Sequence, residues 1–324
     1  MRRLSGGEKS VAETKRSRFF PNGRAVVLSV FSLVLCLIIG FEAAAIKYFY
    51  EPVYHYDVRR DMSVYFSNAD EVIAAVRRCL KRHDWKIGIT FSSHSDNMDD
   101  ISDIVREVME YAVSETDDPT EGDYIRYQYG GYDLNYSHEC SGDTYSYDIE
   151  IIPNYYTTPE QEEKVTEKIN DILKSFSFNS KTTDYEKFTA IYNYVFATVE
   201  YDRVHKNNGY NHLKTTAYSA LFYKRAVCQG YAVLMYRMLR ESGIDSRVIT
   251  GTAQYEDGEE YHAWNIVKLG GVYYNFDITW DKQSEESDYF LKCDSGFEAH
   301  VRDEMFSTVE FYERYPMADR DFFG

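Results

Sequence analysis

The chain is poor in the residues that mark small stapled folds. Five cysteines occur in 324 residues, with no Cys-x-x-Cys pair and no regular spacing. That excludes a disulfide-dense mini-scaffold and a zinc ribbon. Six prolines and no biased tract exclude long low-complexity linkers. Basic residues are in deficit, 36 Lys+Arg against 53 Asp+Glu, for a net charge of -17. Neutralising phosphates takes clustered Lys and Arg, so the balance argues against nucleic acid as a partner. What the chain does have is core material. Hydrophobic residues make up 44% and aromatics 16%, which excludes wholesale disorder. The length allows two modest domains, or one domain with an appendage.

The charge is unevenly placed. Residues 1–46 hold seven Lys/Arg and three acids, a net +4, whereas the rest of the chain carries -21. Between these parts, residues 25–41 (AVVLSVFSLVLCLIIGF) form a run of seventeen without a charge, and the apolar character resumes after Glu42 as far as Ile46. A spanning helix needs about 20 apolar residues, with about 17 tolerated. The basic residues precede the run, so the positive-inside rule predicts a cytoplasmic tail over 1–24 and a single membrane span over 25–46, with the remainder outside. A secretory signal peptide cleaved near Ala43-Ala44-Ala45, leaving a secreted protein, is the alternative. A buried soluble helix is a third reading. Cys36 within the run is a small apolar filler. Cys79, Cys140 and Cys293 leave room for a disulfide that nothing in the sequence pairs.

Residues 47–57 (KYFYEPVYHYD) read as an aromatic stalk at the membrane interface. Residues 58–154 read as a small α+β module of unassigned role. Asn68 or Ser67 caps a helix through Leu80, 85–91 alternates like a strand, 101–112 has helical spacing, and 124–135 and 145–152 are Tyr-rich strands. Its His83, His94 and His138 share no ligand spacing and read as isolated surface histidines. A boundary falls near 153–158. Thr158-Pro159-Glu160-Gln161 starts a helix with Thr as N-cap, Pro in the first turn and Gln at the capping-box position. Thr183-Asp184-Tyr185-Glu186 starts a second. Both helices carry one apolar face.

The chemistry lies between 216 and 282. Ala226-Val227-Cys228-Gln229-Gly230-Tyr231 leads into VLMYRMLRESG, where Tyr231, Leu234, Met235, Met238 and Leu239 share one helical face and Gly243 is a stop. Cys228 thus sits at or next to the start of a buried amphipathic helix. The free N–H groups and partial positive charge there stabilise a thiolate and can hold an oxyanion. Residues 245–254, 261–269 and 272–279 read as strands, the last two joined by a tight Gly270-Gly271 turn. That turn pairs Leu269 with Val272 and sets His262 opposite Thr279. His262 and Asp277 are then diagonal neighbours on one face, ~7–8 Å apart at the backbone. A three-residue loop would place them on opposite faces. With the two-residue turn, Cys228 serves as nucleophile, His262 takes and returns its proton, and Asp277 orients the imidazole.

The segments AVCQGYAVLMYRMLRESGIDSRVITG and YHAWNIVKLGGVYYNFDITWD resemble the transglutaminase-like domain of bacterial surface proteins, in the papain-like cysteine protease superfamily. The family's ordered Cys, His and Asp map onto Cys228, His262 and Asp277, with Cys-x-Gly-Tyr, His-Ala-Trp-Asn and Asp-x-Thr-Trp-Asp surroundings matched. The lead-in at 216–221, the two helices over 159–199 and Tyr289-Phe290-Leu291 are similar too, so the resemblance spans about 155–311. It implies an α+β fold in which a Cys-bearing helix packs on an antiparallel sheet carrying His and Asp, within a domain at 155–324. One departure is Lys224-Arg225, where the family has Gly-Lys. Tyr218 can supply a second oxyanion donor or simply pack. Trp264 and Trp280 flank the site, as cleft walls or as core. Gln229 caps the helix, faces solvent or borders the cleft.

The resemblance implies a thiol acyl-transfer enzyme with a thioester intermediate, resolved by water (a peptidase or amidase) or by an amine (a cross-linking transglutaminase). The substrate would be a peptide or protein, possible sources including the cell envelope. No metal or cofactor is called for, and no EF-hand spacing is present. The competing reading is a catalytically silent binding or scaffold protein of the cell envelope.

Overall fold

The computed structural model describes residues 66, 68–255, 258–284 and 287–323. The expected cytoplasmic tail, the span at 25–46 and the stalk at 47–57 lie outside these residues. Among the described residues no helix is long and apolar enough to cross a membrane.

The first layer is α+β. Helix α1 (Ala69–Lys81) starts where Asn68 Oδ1 accepts the Glu71 N–H, with Asp70 and Glu71 in its first turn and Arg78 and Lys81 in its last. Charges so placed oppose the helix dipole. Strand β1 (Ile87–Ser93) buries Ile87, Ile89 and Phe91 in alternation. Helix α2 (Ile101–Ala112) buries Ile101, Ile104, Val105, Val108, Met109 and Ala112 along one stripe. Strands β2 (Tyr129–Ser141) and β3 (Thr144–Tyr155) complete a sheet of order β1-β3-β2. Phe91, Tyr147, Ile149 and Ile151 of this sheet pack on α1 and α2 in a core of their own.

Two expectations for this module are corrected. Residues 124–126 are not strand. They form a helical turn, α3 (Asp123–Arg126), preceded by Gly122 at φ +62°. Glu115 Oε1 accepts the Asp123 N–H at 2.7 Å and holds the turn. Nor is His83 a surface histidine. Its ring lies 4.3 Å from that of Tyr155, and Nε2 lies 3.2 Å from Thr157 Oγ1.

The second layer begins with α4 (Pro159–Ser175) and α5 (Asp184–Thr198). Each opens on a full capping box, Thr158 with Gln161 and Thr183 with Glu186. They pack on α6 (Cys228–Glu241). Residues Gly230 to Leu239 of α6 are buried without exception, so the helix is buried as expected and its polar side is enclosed too. Its apolar neighbours come from α4, α5 and a four-stranded antiparallel sheet of order β8-β7-β6-β9.

In that sheet β6 is Ser246–Tyr255, β7 is Gly258–Leu269, β8 is Val272–Phe276 and β9 is His300–Arg302. Gly270 and Gly271 both have positive φ, +61° and +97°, as a tight two-residue hairpin requires. Leu269 pairs with Val272, the register read from the turn. The strand reading of 272–279 ran too far, however. Strand β8 stops at Phe276, and α7 (Ile278–Ser284) follows, so His262 does not face Thr279. Asp277 is the hinge residue between strand and helix. Beneath the sheet, Phe306, Phe311 and Tyr315, the latter two in and beside α8 (Val309–Arg314), pack against Ile249, Trp264, Ile266 and Tyr273.

Two short strands, β4 (Glu200–Tyr201) and β5 (Arg225–Ala226), pair in parallel beside the start of α6. Lys224, at the place where the resembled family has glycine, keeps a left-handed conformation with φ +56°. An L side chain bears a steric cost in that conformation. Cys79, Cys140, Cys228 and Cys293 are all free thiols.

Candidate active site

Cys228 is the first residue of α6, and extended Val227 stands at the cap position without a side-chain cap. The first N–H groups of a helix have no partner within it. The chain just before the helix is held close. Val227 N–H donates to the Lys214 carbonyl at 3.0 Å, and a Cβ added at Gly230 would stand 2.9 Å from the same oxygen and 2.8 Å from Ala226 Cβ. Glycine two residues after the cysteine is thus a packing requirement of this helix start.

Strand β7 presents His262 to the thiol, and the end of β8 presents Asp277 to His262. The His262 Nε2 to Asp277 Oδ2 distance is 2.7 Å, with both residues almost fully buried. Asp277 Oδ1 accepts from the backbone N–H of Thr279 at 2.9 Å and of Trp280 at 3.1 Å. The carboxylate therefore caps α7 with one oxygen and orients the imidazole with the other. Because Nε2 is committed to Asp277, Nδ1 is the nitrogen left for the thiol. Tyr255 Oη lies 3.4 Å from Nδ1 and accepts from Trp280 Nε1 at 2.7 Å.

The electrostatics follow from this placement. Burial opposes ionisation of Cys228. The charge of His262 and hydrogen bonds from His262 and the Ala263 N–H outweigh it, so the thiol sits below its ordinary range. Burial likewise opposes charging His262, but Asp277 and the sulfur pull its pKa up to about 10. Burial alone would raise Asp277. The two histidines on it hold it well below the usual carboxylate range. Cys228 as a residue is half-buried, beside the enclosed His262.

A second histidine was not singled out from the sequence. His300 Nε2 lies 3.0 Å from the same Asp277 Oδ2. It comes from β9, which joins the sheet at Gly251, Thr252 and Ala253 of β6. His300 stands 38 residues beyond His262 with no motif around it, and a three-residue strand is too short for alternation to reveal. His262, Asp277 and His300 together have the spacing of a metal-ligand set. The hydrogen bonds among them account for that convergence.

The remaining candidates separate. Trp280 is part of the site wall, its ring 5.7 Å from that of His262 and 4.4 Å from that of His300. Trp264 is buried behind the histidines at 1% exposure, so it is core and not cleft. Tyr218 stacks on Phe222 at 4.7 Å, and no hydrogen bond ties it to Cys228 or His262. Gln229 does not cap the helix and is half-buried. Its Nε2 donates at 3.2 Å to the carbonyl of Tyr127, just past α3, and ties the start of α6 to the first layer.

A half-buried cysteine at a helix start, an imidazole and an orienting carboxylate, carried on a helix and an antiparallel sheet, describe a class of thiol-based sites. Residues 173–278, which include all three side chains, match the family model of the transglutaminase-like superfamily. The chain therefore contains a transglutaminase-like domain. Among characterised proteins, kyphoscoliosis peptidase of Homo sapiens is 32% identical over 119 residues, 34% of this chain and 18% of its own length. That of Mus musculus is 30% identical over 125 residues, 36% of this chain and 18% of its own. The chain thus spans under a fifth of these relatives. A crystal structure of a TGase aligns with 45% of this chain and 44% of its own, at 18% identity and a TM-score of 0.32.

Proposed function

We propose that the protein is a thiol acyl-transfer enzyme acting on peptide or protein amides. The observation that carries this reading is the chain of contacts from a half-buried Cys228 through His262 to a buried Asp277. In it the thiol proton passes to Nδ1 of His262, and the imidazolium is held by Asp277. The sulfur attacks an amide carbonyl, and the helix N–H groups take the developing oxyanion. The C–N bond breaks as the imidazolium gives its proton to the departing amine, leaving a thioester. Water or a second amine then attacks the thioester, with His262 now accepting the proton and the sulfur leaving. Water gives a peptidase or amidase, and a lysine side chain gives a cross-linking transglutaminase.

We place the domain outside the cytoplasm. The basic segment, the apolar run at 25–46 and the acidic remainder support this reading.

The test is labelling of Cys228 by iodoacetamide at pH 6, followed by peptide mass spectrometry. An ordinary thiol is under about 1% ionised there. We expect fast labelling that collapses in His262→Ala. Incubation with glutamine- and lysine-containing peptides then distinguishes hydrolysis from cross-linking by product mass. Slow labelling indifferent to His262, with no product from either peptide, would leave a silent binding protein as the reading.

A further inference from the structure

Asp277 Oδ2 accepts from two imidazoles, His262 Nε2 at 2.7 Å and His300 Nε2 at 3.0 Å. An ionised carboxylate only accepts, so His300 carries its proton on Nε2. The other ring nitrogen of His300, Nδ1, is buried and has no partner. If His300 were protonated, that nitrogen would be a buried donor with nothing to bond, which is costly. His300 is therefore the neutral member of the trio. Its ring is held in place by Phe297, stacked at 4.0 Å, and by Trp280 and Trp264 at 4.4 and 5.0 Å.

Two consequences follow for the reaction. The carboxylate is fixed from four sides, by both imidazoles and by the Thr279 and Trp280 N–H groups. In addition, a hydrogen bond on Oδ2 from His300 draws off charge that would otherwise act on His262 alone. An imidazolium bound too tightly to its carboxylate is a poor acid, and the departing amine needs its proton.

We propose that His300 is a positioning residue of the acyl-transfer site, which holds Asp277 and shares its charge so that the His262 imidazolium stays acidic enough to release its proton. This rests on the thiolate–imidazolium reading of Cys228 and His262. The other ionisable groups facing the trio are Cys228 and Tyr255 toward His262, Tyr289 toward His300, and Asp281 and Tyr192, which act on Asp277 from one turn into α7 and from α5.

The test is the pH profile of Cys228 alkylation by iodoacetate in the purified full-length protein. Iodoacetate is anionic, so its rate rises with thiolate formation and falls when the imidazolium loses its proton. Wild type should show a plateau between these limbs, and His262→Ala should lose it. His300→Phe keeps a ring and removes the donor. We expect its alkaline limb to move up by about one pH unit while its acid limb stays. His300→Gln, whose amide can still reach Asp277, should follow wild type. A merely structural role would loosen the pair and narrow the plateau from both sides, and that result, or unmoved limbs, overturns the proposal. Should the Phe variant not fold, His300→Asn takes its place, its amide being too short, and coincident Asn and Gln profiles overturn the proposal equally. A wild type without a plateau sinks both readings, and is seen before any His300 variant is made.

Discussion

Arg247 and Asp123, 124 residues apart, form a buried two-pronged ion pair. Arg247 Nε lies 2.7 Å from Oδ2 and Nη2 lies 3.0 Å from Oδ1, while the Val248 N–H donates to Oδ2 at 2.8 Å. The third guanidinium nitrogen donates to Tyr315 Oη at 2.6 Å. One arginine on β6 thereby clasps α3 of the first layer and the segment after α8. Strand β6 lies between β7, which carries His262, and β9, which carries His300.

Removing one partner of such a pair leaves the other buried and uncompensated. We predict that Arg247→Met destabilises the protein by about 3–5 kcal/mol. Urea unfolding checks this, and a midpoint equal to wild type would show that the pair contributes no net stability.

Glu115 sits beside the same pair. Burial first, then the negative Asp123, raise its pKa from 4.5 to about 7. A carboxyl raised on folding stabilises fully below its unfolded pKa and loses that contribution as pH climbs through the folded one. Glu115 therefore makes stability fall between about pH 4.5 and about pH 7. We predict that Glu115→Gln, which keeps the acceptor for the Asp123 N–H, flattens this slope and gains stability at pH 8 relative to wild type. Melting temperatures at pH 5 and pH 8 test it. A slope as steep as wild type would mean Glu115 does not titrate in that range. Some slope should persist, because burial also raises Asp281 to about 7.

The His262–Asp277 contact sets another expectation. Asp277→Asn removes the charge that holds up the His262 pKa, and its amide can press the wrong tautomer on the ring. By analogy with Asp-to-Asn changes in serine triads, activity should fall about 10²–10⁴-fold. Labelling of Cys228 at pH 6 should slow as well, since the thiolate loses its imidazolium partner. Retention of wild-type labelling would show that Asp277 does not act through His262.

Gly251 links the sheet to His300. A Cβ there would stand 2.0 Å from the Val301 carbonyl and 2.9 Å from Arg302 Cα, both backbone atoms that cannot yield as a side-chain tip would. We predict that Gly251→Ala costs roughly 1–3 kcal/mol and forces β9 away from β6. Its alkylation profile should change along with its stability, because His300 moves with the strand. A variant with wild-type unfolding midpoint and profile would refute the close approach.

Local patterns accounted for much of what could be read in advance. The stripes of α2 and α4, the capping box at Thr158 and the start of α6 at Cys228 depend on side chains within one or two turns of each other. The hairpin register depends on two glycines free to take positive φ. These are properties of short stretches, so they are legible in sequence.

Contacts between distant stretches were decided only in three dimensions. Residues 277–279 read as the end of β8, yet Asp277 caps a helix there because its Oδ1 meets two backbone donors at the strand exit. The spacing of α6 gives one apolar face to bury, and the packing of both layers and the sheet encloses its other face as well. Gln229 finds its partner 102 residues away. His300 reaches Asp277 because β9 docks where a glycine leaves room. The chain determines by itself which residue types carry the chemistry and which turns they sit on, since those follow from local geometry. Which carboxylate oxygen two histidines share follows from the packing of strands far apart in sequence, and no local signal encodes that.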